Sequence, residues 1–167
     1  MREAISKLDP GKLFLEIGFG SGKNLLVAAK KFNIVLGTEV LPLKNFPSEL
    51  SCKIEVVRAD KATCFREAIF DVVAFNPPYL PSEQIEDRSV DGGLHGVEVP
   101  LEFLNSALQV LKREGKILIL LSSLGDMNLF AKFCSDHRLI AKKLVEKKFF
   151  FETLTVYLVT PSETLAP

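Results

Sequence analysis

The sequence predicts an α/β domain built on a parallel, doubly wound sheet, and three observations carry that prediction. Short apolar runs alternate with helical-looking stretches along the chain, the rhythm that right-handed strand–helix–strand crossovers require. The runs "LFLEI" and "ILILL" are continuously apolar rather than alternating, as expected of strands covered on both faces. The first strand runs straight into a glycine-rich turn, "GFGSG" at 18–22, where a helix can begin.

Taken in order, residues 13–17 form the first strand, and a helix follows the glycine turn to about Lys31, its Lys30-Lys31 pair placed where cations suit a helix C-terminus. "NIVLGTEV" (33–40) is the second strand and "KIEVVRAD" (53–60) the third. Between them Pro42 and Pro47 leave room for only a turn or two of helix in the stretch from Pro42 to Leu50. "KATCFREAI" reads as a short helix and "FDVVAF" (70–75) as the fourth strand. A helix from about Glu98 to Arg113 ends at Gly115. "KILILLSS" (116–123) is the fifth strand, followed by a helix from about Gly125 to His137. The remaining "LIAKKLVEKKFFFETLTVYLVT" offers two strand-like stretches with no room for a crossover helix. They are expected to form an antiparallel hairpin on one sheet edge, reversing near Phe151-Glu152, with Phe149-Phe150-Phe151 read as hairpin core and a substrate pocket as the alternative.

The chain has 167 residues, expected as a single domain spanning 1–167, with 47% hydrophobic and 25% charged residues. Lys+Arg and Asp+Glu are both 21, so the basic excess of a chain that grips nucleic acid unaided is missing. Cys52, Cys64 and Cys134 have no metal-ligand spacing and read as reduced thiols; no metal site is expected. With no apolar stretch long enough to span a bilayer and no signal core at the start, a cytoplasmic protein without membrane contact is expected.

The glycine turn identifies the first candidate site. Glycines let a backbone approach a ligand closely and take positive φ, and a helix N-terminus offers free N–H groups. The spacing of Gly18, Gly20 and Gly22 is G-x-G-x-G, not the G-x-G-x-x-G of dinucleotide sites. Glu16, just before the turn, would repel a pyrophosphate and attract an amino group. Glu39 closes the second strand, where a carboxylate accepts from ribose hydroxyls. Asp60 closes the third, within reach of an adenine amino group. Three carboxylates at successive strand ends suit an adenosine with a cationic amino-acid tail, and S-adenosyl-L-methionine is that molecule. Glu39 also reads as an exposed strand-end charge, and Asp60 as a cap for the following turn.

The second candidate is the tetrad Asn76-Pro77-Pro78-Tyr79 at the end of the fourth strand. Strand ends of this edge are where open α/β sheets bind ligands. The Asn76 carbonyl and the Pro77 backbone carbonyl, fixed in direction by the prolines, can accept both hydrogens of a planar NH2 group. Tyr79 can stack on its flat face. Methyl transfer at a sulfonium needs mainly such positioning, so Asn76 serves both target and cofactor. A rigid strand-ending turn is the bland alternative. The polar loop 80–97, with Gly92, Gly93 and Gly96 as hinges or as points of substrate approach, lies over this site. His95 reads as a loop residue, and His137 as a charge partner at a helix end.

In this order "LEIGFGSG", "TE" (38–39), "AD" (59–60) and "FNPPY" resemble class I S-adenosylmethionine-dependent methyltransferases. The segment "DGGLHGVEVPLEFLNSALQVLKREGKILILLSS" (91–123) resembles the protein-(glutamine-N5) methyltransferases of translation release factors, in their short archaeal and eukaryotic branch. The resemblance implies a Rossmann-like seven-stranded sheet, mostly parallel with a C-terminal antiparallel hairpin. It also adds Val40 and Lys61, each beside a strand-end carboxylate, to the cofactor contacts. The implied substrate is a glutamine amide of a release factor. A nucleic-acid amino group, adenine-N6 or guanine-N2, stays open, as does a module that binds without catalysis. A small zinc-binding activator is implied on the edge of the third strand, at "KIEVV" (53–57). One departure is at the start. Family members carry more chain there, with a "PSxDT/S"-like cover, and here 12 residues precede the first strand, with "MREAISKL" as a remnant helix or a truncated start.

Overall fold

The computed structural model describes residues 1–41, 52–82 and 90–162. In chain order the elements are α1 (Arg2–Ser6), β1 (Gly11–Ile17), α2 (Lys23–Ala28), β2 (Phe32–Glu39), β3 (Ile54–Arg58), β4 (Phe70–Phe75), α3 (Glu98–Val110), β5 (Leu111–Ser122), α4 (Met127–Asp136), β6 (Leu139–Lys148) and β7 (Thr153–Pro161). The strands make one seven-stranded sheet in the order β3-β2-β1-β4-β5-β7-β6. Neighbours from β3 to β5 run parallel, and β7 is antiparallel to both β5 and β6. The expected mostly parallel sheet with a C-terminal hairpin is therefore what forms, with the third strand at an edge. The expected turn of helix from Pro42 to Leu50 lies outside the described residues.

Alternation of side chains along each strand divides the core in two. Leu15, Ile17, Val73, Phe75, Ile117 and Ile119 pack with α3 and α4 on one face. Phe14, Val35, Val72, Ala74 and Leu118 pack with α1 and α2 on the other. Both faces of the central strands are thus apolar, and the sequence reads as an unbroken hydrophobic run for that reason. Full burial of such a side chain is worth about 1.5–3 kcal/mol, so the central strands are the firm part of the molecule. Asp71, at the start of β4, ties β1 to β5: its carboxylate accepts from the Lys12 and Leu13 N–H groups at 3.0 and 2.7 Å and pairs with the Lys112 ammonium.

Several elements differ from expectation. α2 stops at Ala28 rather than Lys31, its last turn tightened by N–H bonds from Lys30 and Lys31 to the carbonyls three residues back. "KATCFREAI" forms turns, not a helix. Lys61 and Ala68 both sit at positive φ, 50° and 55°, and three of the segment's N–H groups go to α3: Ala62 to the Ser106 hydroxyl, Ala68 and Ile69 to the Gln109 and Val110 carbonyls. α3 ends at Val110, not Arg113, because Leu111 already pairs with Phe70. The register then shifts, and the next pair is Val72 with Lys116, so residues 112–115 form a bulge inside β5. The Phe149-Phe150-Phe151 run is not hairpin core. It forms the β6–β7 turn, and Phe150 and Phe151 are 92% and 84% exposed.

Candidate active site

The site rests on a register. Ile17 of β1 is the partner of Phe75 in β4 and of Thr38 in β2, and Glu39 is the partner of Arg58 in β3. The first residues beyond these strands therefore leave one sheet edge side by side, with Asn76 and Gly18 on adjacent strands, Glu39 beside Gly18, and Asp60 two residues past the end of β3. Every candidate strand end read from the sequence lies on this edge.

The glycine turn is left-handed at each of its three glycines, with φ of 68° at Gly18, 50° at Gly20 and 70° at Gly22, a conformation that costs other residues strain. The N–H groups of Gly18 and Phe19 donate to the Thr38 carbonyl at 2.8 and 3.1 Å. Phe19 then folds back over β2. Gly37 makes room for it: a Cβ there would stand 2.7 Å from the Phe19 ring and 2.9 Å from Leu25. The turn is thus pinned to β2 by backbone and by ring.

The two carboxylates flanking this turn live in different environments. Glu39 Oε2 accepts from the Gly20 N–H at 3.2 Å, and its Oε1 accepts from the Val40 and Leu41 N–H groups at 2.9 and 3.2 Å. It braces the turn from the solvent side. Glu16 is 1% exposed, on the α1–α2 side of the sheet. Its Oε1 accepts from the Asn24 amide at 2.6 Å, and its Oε2 is buried without a partner among the described residues. Burial raises its pKa to about 8, the Asn24 hydrogen bond and the Met1 ammonium opposing that rise. An orphaned, buried carboxylate oxygen beside a glycine turn is the donor-hungry group that an ammonium would satisfy, so these residues fit the amino-acid end of S-adenosyl-L-methionine. Asn24 is a contact the sequence reading missed. It lies in the first turn of α2 with no motif to mark it.

Asp60 and Lys61 lie further out. The Asp60 carbonyl, not its side chain, caps the turn by accepting from Thr63. Its carboxylate meets the Lys61 ammonium at 3.5 Å, and the same ammonium lies 3.3 Å from Glu102 and 5.6 Å above the Phe103 ring. Val40 is exposed, and its carbonyl accepts from the Arg58 guanidinium at 3.2 Å.

In the tetrad, Asn76 is exposed at the end of β4, Pro77 is buried, and Pro78 and Tyr79 are half-buried. Burial raises the Tyr79 phenol above its ordinary range, and the nearby Glu152 carboxylate raises it further. Glu152, in the β6–β7 turn, accepts from the buried Ser122 hydroxyl at 2.7 Å. Glu152 and Ser122 were not among the sequence-read site residues, because only the hairpin's return brings Glu152 to Ser122 at the end of β5. The described parts of the 80–97 loop are fastened rather than free. Leu80 donates to the Val90 carbonyl and accepts from Gly92 N–H, and Ser82 donates to Gly93. A Cβ on Gly92 would stand 2.6 Å from Tyr79 Cα, and one on Gly96 2.8 Å from the Tyr79 carbonyl. At Gly92 and Gly96 the missing side chain makes room for the protein's own backbone. Residues 83–89 of the loop lie outside the described part. His95 and the His95 and Val97 N–H groups all engage Glu98 at the start of α3, and the His137 ring bonds the Phe133 carbonyl at 2.9 Å. Among the described residues no cluster of potential metal ligands exists, and no helix is long and apolar enough to cross a membrane.

A seven-stranded, mostly parallel sheet with a C-terminal antiparallel pair and a glycine turn after its first strand is the α/β fold of methyltransferases. Among solved structures, the chain is similar to the Mtq2–Trm112 complex of E. cuniculi, described as responsible for methylation of the translation termination factor eRF1. Identity is 24%, the TM-score 0.78, and 96% of this chain and 92% of that one are covered. It is also similar to an rRNA methylase of Streptococcus thermophilus, at 15% identity and a TM-score of 0.67, covering 97% and 94% of the two chains. Among curated proteins, a candidate protein N5-glutamine methyltransferase of Methanocaldococcus jannaschii is 32% identical over 121 residues, 66% of this chain and 61% of that protein. A release factor glutamine methyltransferase of Caulobacter vibrioides is 30% identical over 121 residues, 60% of this chain and 42% of that protein. The matches thus span less than two thirds of either curated relative. No family model matches the sequence.

Proposed function

We propose that the chain is an S-adenosyl-L-methionine-dependent N-methyltransferase whose target is the side-chain amide of a glutamine in a translation release factor. The observation that carries this reading is the register of Ile17 with Phe75, which sets the glycine turn and Asn76 next to each other on adjacent strands. The names of both curated relatives favour the amide as target, and so does the balance of 21 basic and 21 acidic residues.

In this reading Glu16 Oε2 accepts from the amino group of the cofactor, the positive-φ glycines let its chain lie against the backbone, and Glu39 and Asp60 accept from ribose and adenine. Val40 and Lys61 flank the nucleoside. The cofactor supplies an electrophilic methyl on sulfur. Asn76 and the Pro77 carbonyl each accept one hydrogen of the planar NH2, which fixes the nitrogen in line and holds charge as it develops there. Pro78 keeps the turn rigid, and Tyr79 stacks on the amide. No strong base is needed: as the N–CH3 bond would form and the neutral thioether leave, the nitrogen turns acidic and would shed one of its two hydrogens to water at the open strand end, so orientation is the main requirement.

The outer edge of β3 is the proposed contact for a small zinc-binding activator subunit. β3 is the terminal strand of the sheet, Val57 on it is exposed, and Val40 and Leu41 are exposed at the same end. The neighbour of known structure is itself a two-protein complex.

The direct test is transfer of a labelled methyl group from S-adenosyl-L-methionine to purified release factor, RNA and DNA, with the modified residue located by mass spectrometry. Label on a release-factor glutamine is expected. Label on RNA or DNA alone would replace the amide reading with base methylation, since the tetrad accepts either planar amino group.

A further inference from the structure

We propose that the β6–β7 turn and the cleft beside it form the docking surface for the polypeptide segment that flanks the methylated amide. This rests on the protein-substrate reading above and extends it to a surface outside the tetrad.

The turn is held firmly yet presents two large apolar side chains to water. Phe149 N–H donates to the Glu152 carbonyl at 2.7 Å, Ser123 N–H donates to the Thr153 carbonyl, and Thr153 N–H returns a bond to the Ser123 hydroxyl, both at 2.9 Å. At its tip the Phe150 and Phe151 rings meet edge-to-face, with centroids 4.6 Å apart. A contiguous exposed apolar patch of this kind marks a site of interaction.

The place of the turn gives it a partner. β7 runs antiparallel to β5, so the turn stands at the carboxyl edge of β4 and β5, with the tetrad. Glu152 joins it there by its 2.7 Å bond from Ser122, close enough for the Tyr79 phenol to feel its charge. On the other side of the same Ser122, a cleft of about 310 Å³ opens between the start of α4 and the hairpin, lined by Ser122, Met127, Glu146, Thr153, Thr155 and Tyr157. Hydroxyls, a thioether and an aromatic ring in one open groove suit an extended peptide.

Charge decides between a peptide and a nucleic acid. A carboxylate beside the aromatic tip accepts peptide N–H groups and repels phosphates. Of the four hairpin lysines, Lys143, which lines the cleft, pairs with Glu146 at 2.9 Å and Lys147 lies 5.0 Å above the Phe149 ring, so Lys142 and Lys148 are the further cations set against Glu152.

The test uses the full chain with any activator it needs, and measures equilibrium binding of purified release factor and of a single-stranded RNA. The F150S/F151S double variant, altered only at water-facing positions, should keep the wild-type melting temperature and S-adenosyl-L-methionine affinity. It should bind the release factor at least tenfold more weakly, with KM raised and kcat little changed. E152Q should show a smaller loss of the same kind. Unchanged release-factor binding by the double variant overturns the docking surface and leaves the amide reading standing. A wild-type chain that binds RNA and no release factor overturns both.

Discussion

The Asn24 side-chain amide donates to Glu16 Oε1 at 2.6 Å, while Glu16 Oε2, also buried, has no partner among the described residues. A carboxyl group so placed prefers to keep its proton: burial raises its pKa from a usual 4.5 to about 8. Folding therefore holds a proton that the unfolded chain releases. The stability this gives is complete below about pH 4.5 and is lost as pH rises through about 8. Full ionisation corresponds to about 4–5 kcal/mol, an upper figure for a site that water can enter.

Glu16→Gln should accordingly be more stable than wild type at pH 9 and about equal to it at pH 4. Urea unfolding at the two pH values measures the difference. The same variant should lose S-adenosyl-L-methionine affinity by tenfold or more. A wild type whose stability does not fall from pH 5 to 9 relative to Glu16→Gln would show that Oε2 is hydrated.

Binding of an ammonium group beside Glu16 should drive its proton off. At pH 7, binding of S-adenosyl-L-methionine should then release protons, visible as a dependence of the calorimetric enthalpy on the ionisation heat of the buffer. In Glu16→Gln any residual binding should lose the part of that dependence due to Glu16. An identical buffer dependence in both proteins would place the amino group elsewhere.

Asn76 is exposed and follows the last residue of β4, so its truncation touches no core packing. Asn76→Ala should lower kcat by about 10²–10³, equivalent to about 2.7–4 kcal/mol of lost stabilisation, with the melting temperature within a degree or two of wild type. Cofactor affinity should change far less than kcat. Retained turnover would remove Asn76 from the reacting centre.

Gly92 has a different kind of importance. A methyl group there would meet Tyr79 Cα at 2.6 Å, a backbone atom that cannot swing aside. Gly92→Ala should lower stability by about 1–3 kcal/mol, as overpacking does, and turnover by more than that loss explains, because the tetrad must move. Thermal melting and kcat measured on the same preparation separate the two effects.

The sheet was legible because its central strands are apolar on both faces, and β4 was read to the residue. The edges of the α/β rhythm were not. Leu111 left its helix early to pair with Phe70, and Ala62, Ala68 and Ile69 gave their N–H groups to α3. Both are long-range pairings that override local propensity. The site residues read from the sequence lie on the expected strand ends because turn glycines, prolines and strand-end acids are local signals. Asn24, Ser122 and Glu152 carry no such signal. The aromatic run was misassigned for the same reason: three successive phenylalanines say "buried" by composition, and only the hairpin's return showed that the turn holds them outside.

The absence of a side chain at Gly37 reaches beyond β2. Because the Phe19 ring occupies that space, the glycine turn takes its shape from an internal wedge and not from whatever it later holds. The apo protein should then meet its ligand in a ready-made cradle, with fast association and little ordering of the backbone, and a bulkier residue at position 37 would turn that cradle into one that must be moulded at every encounter.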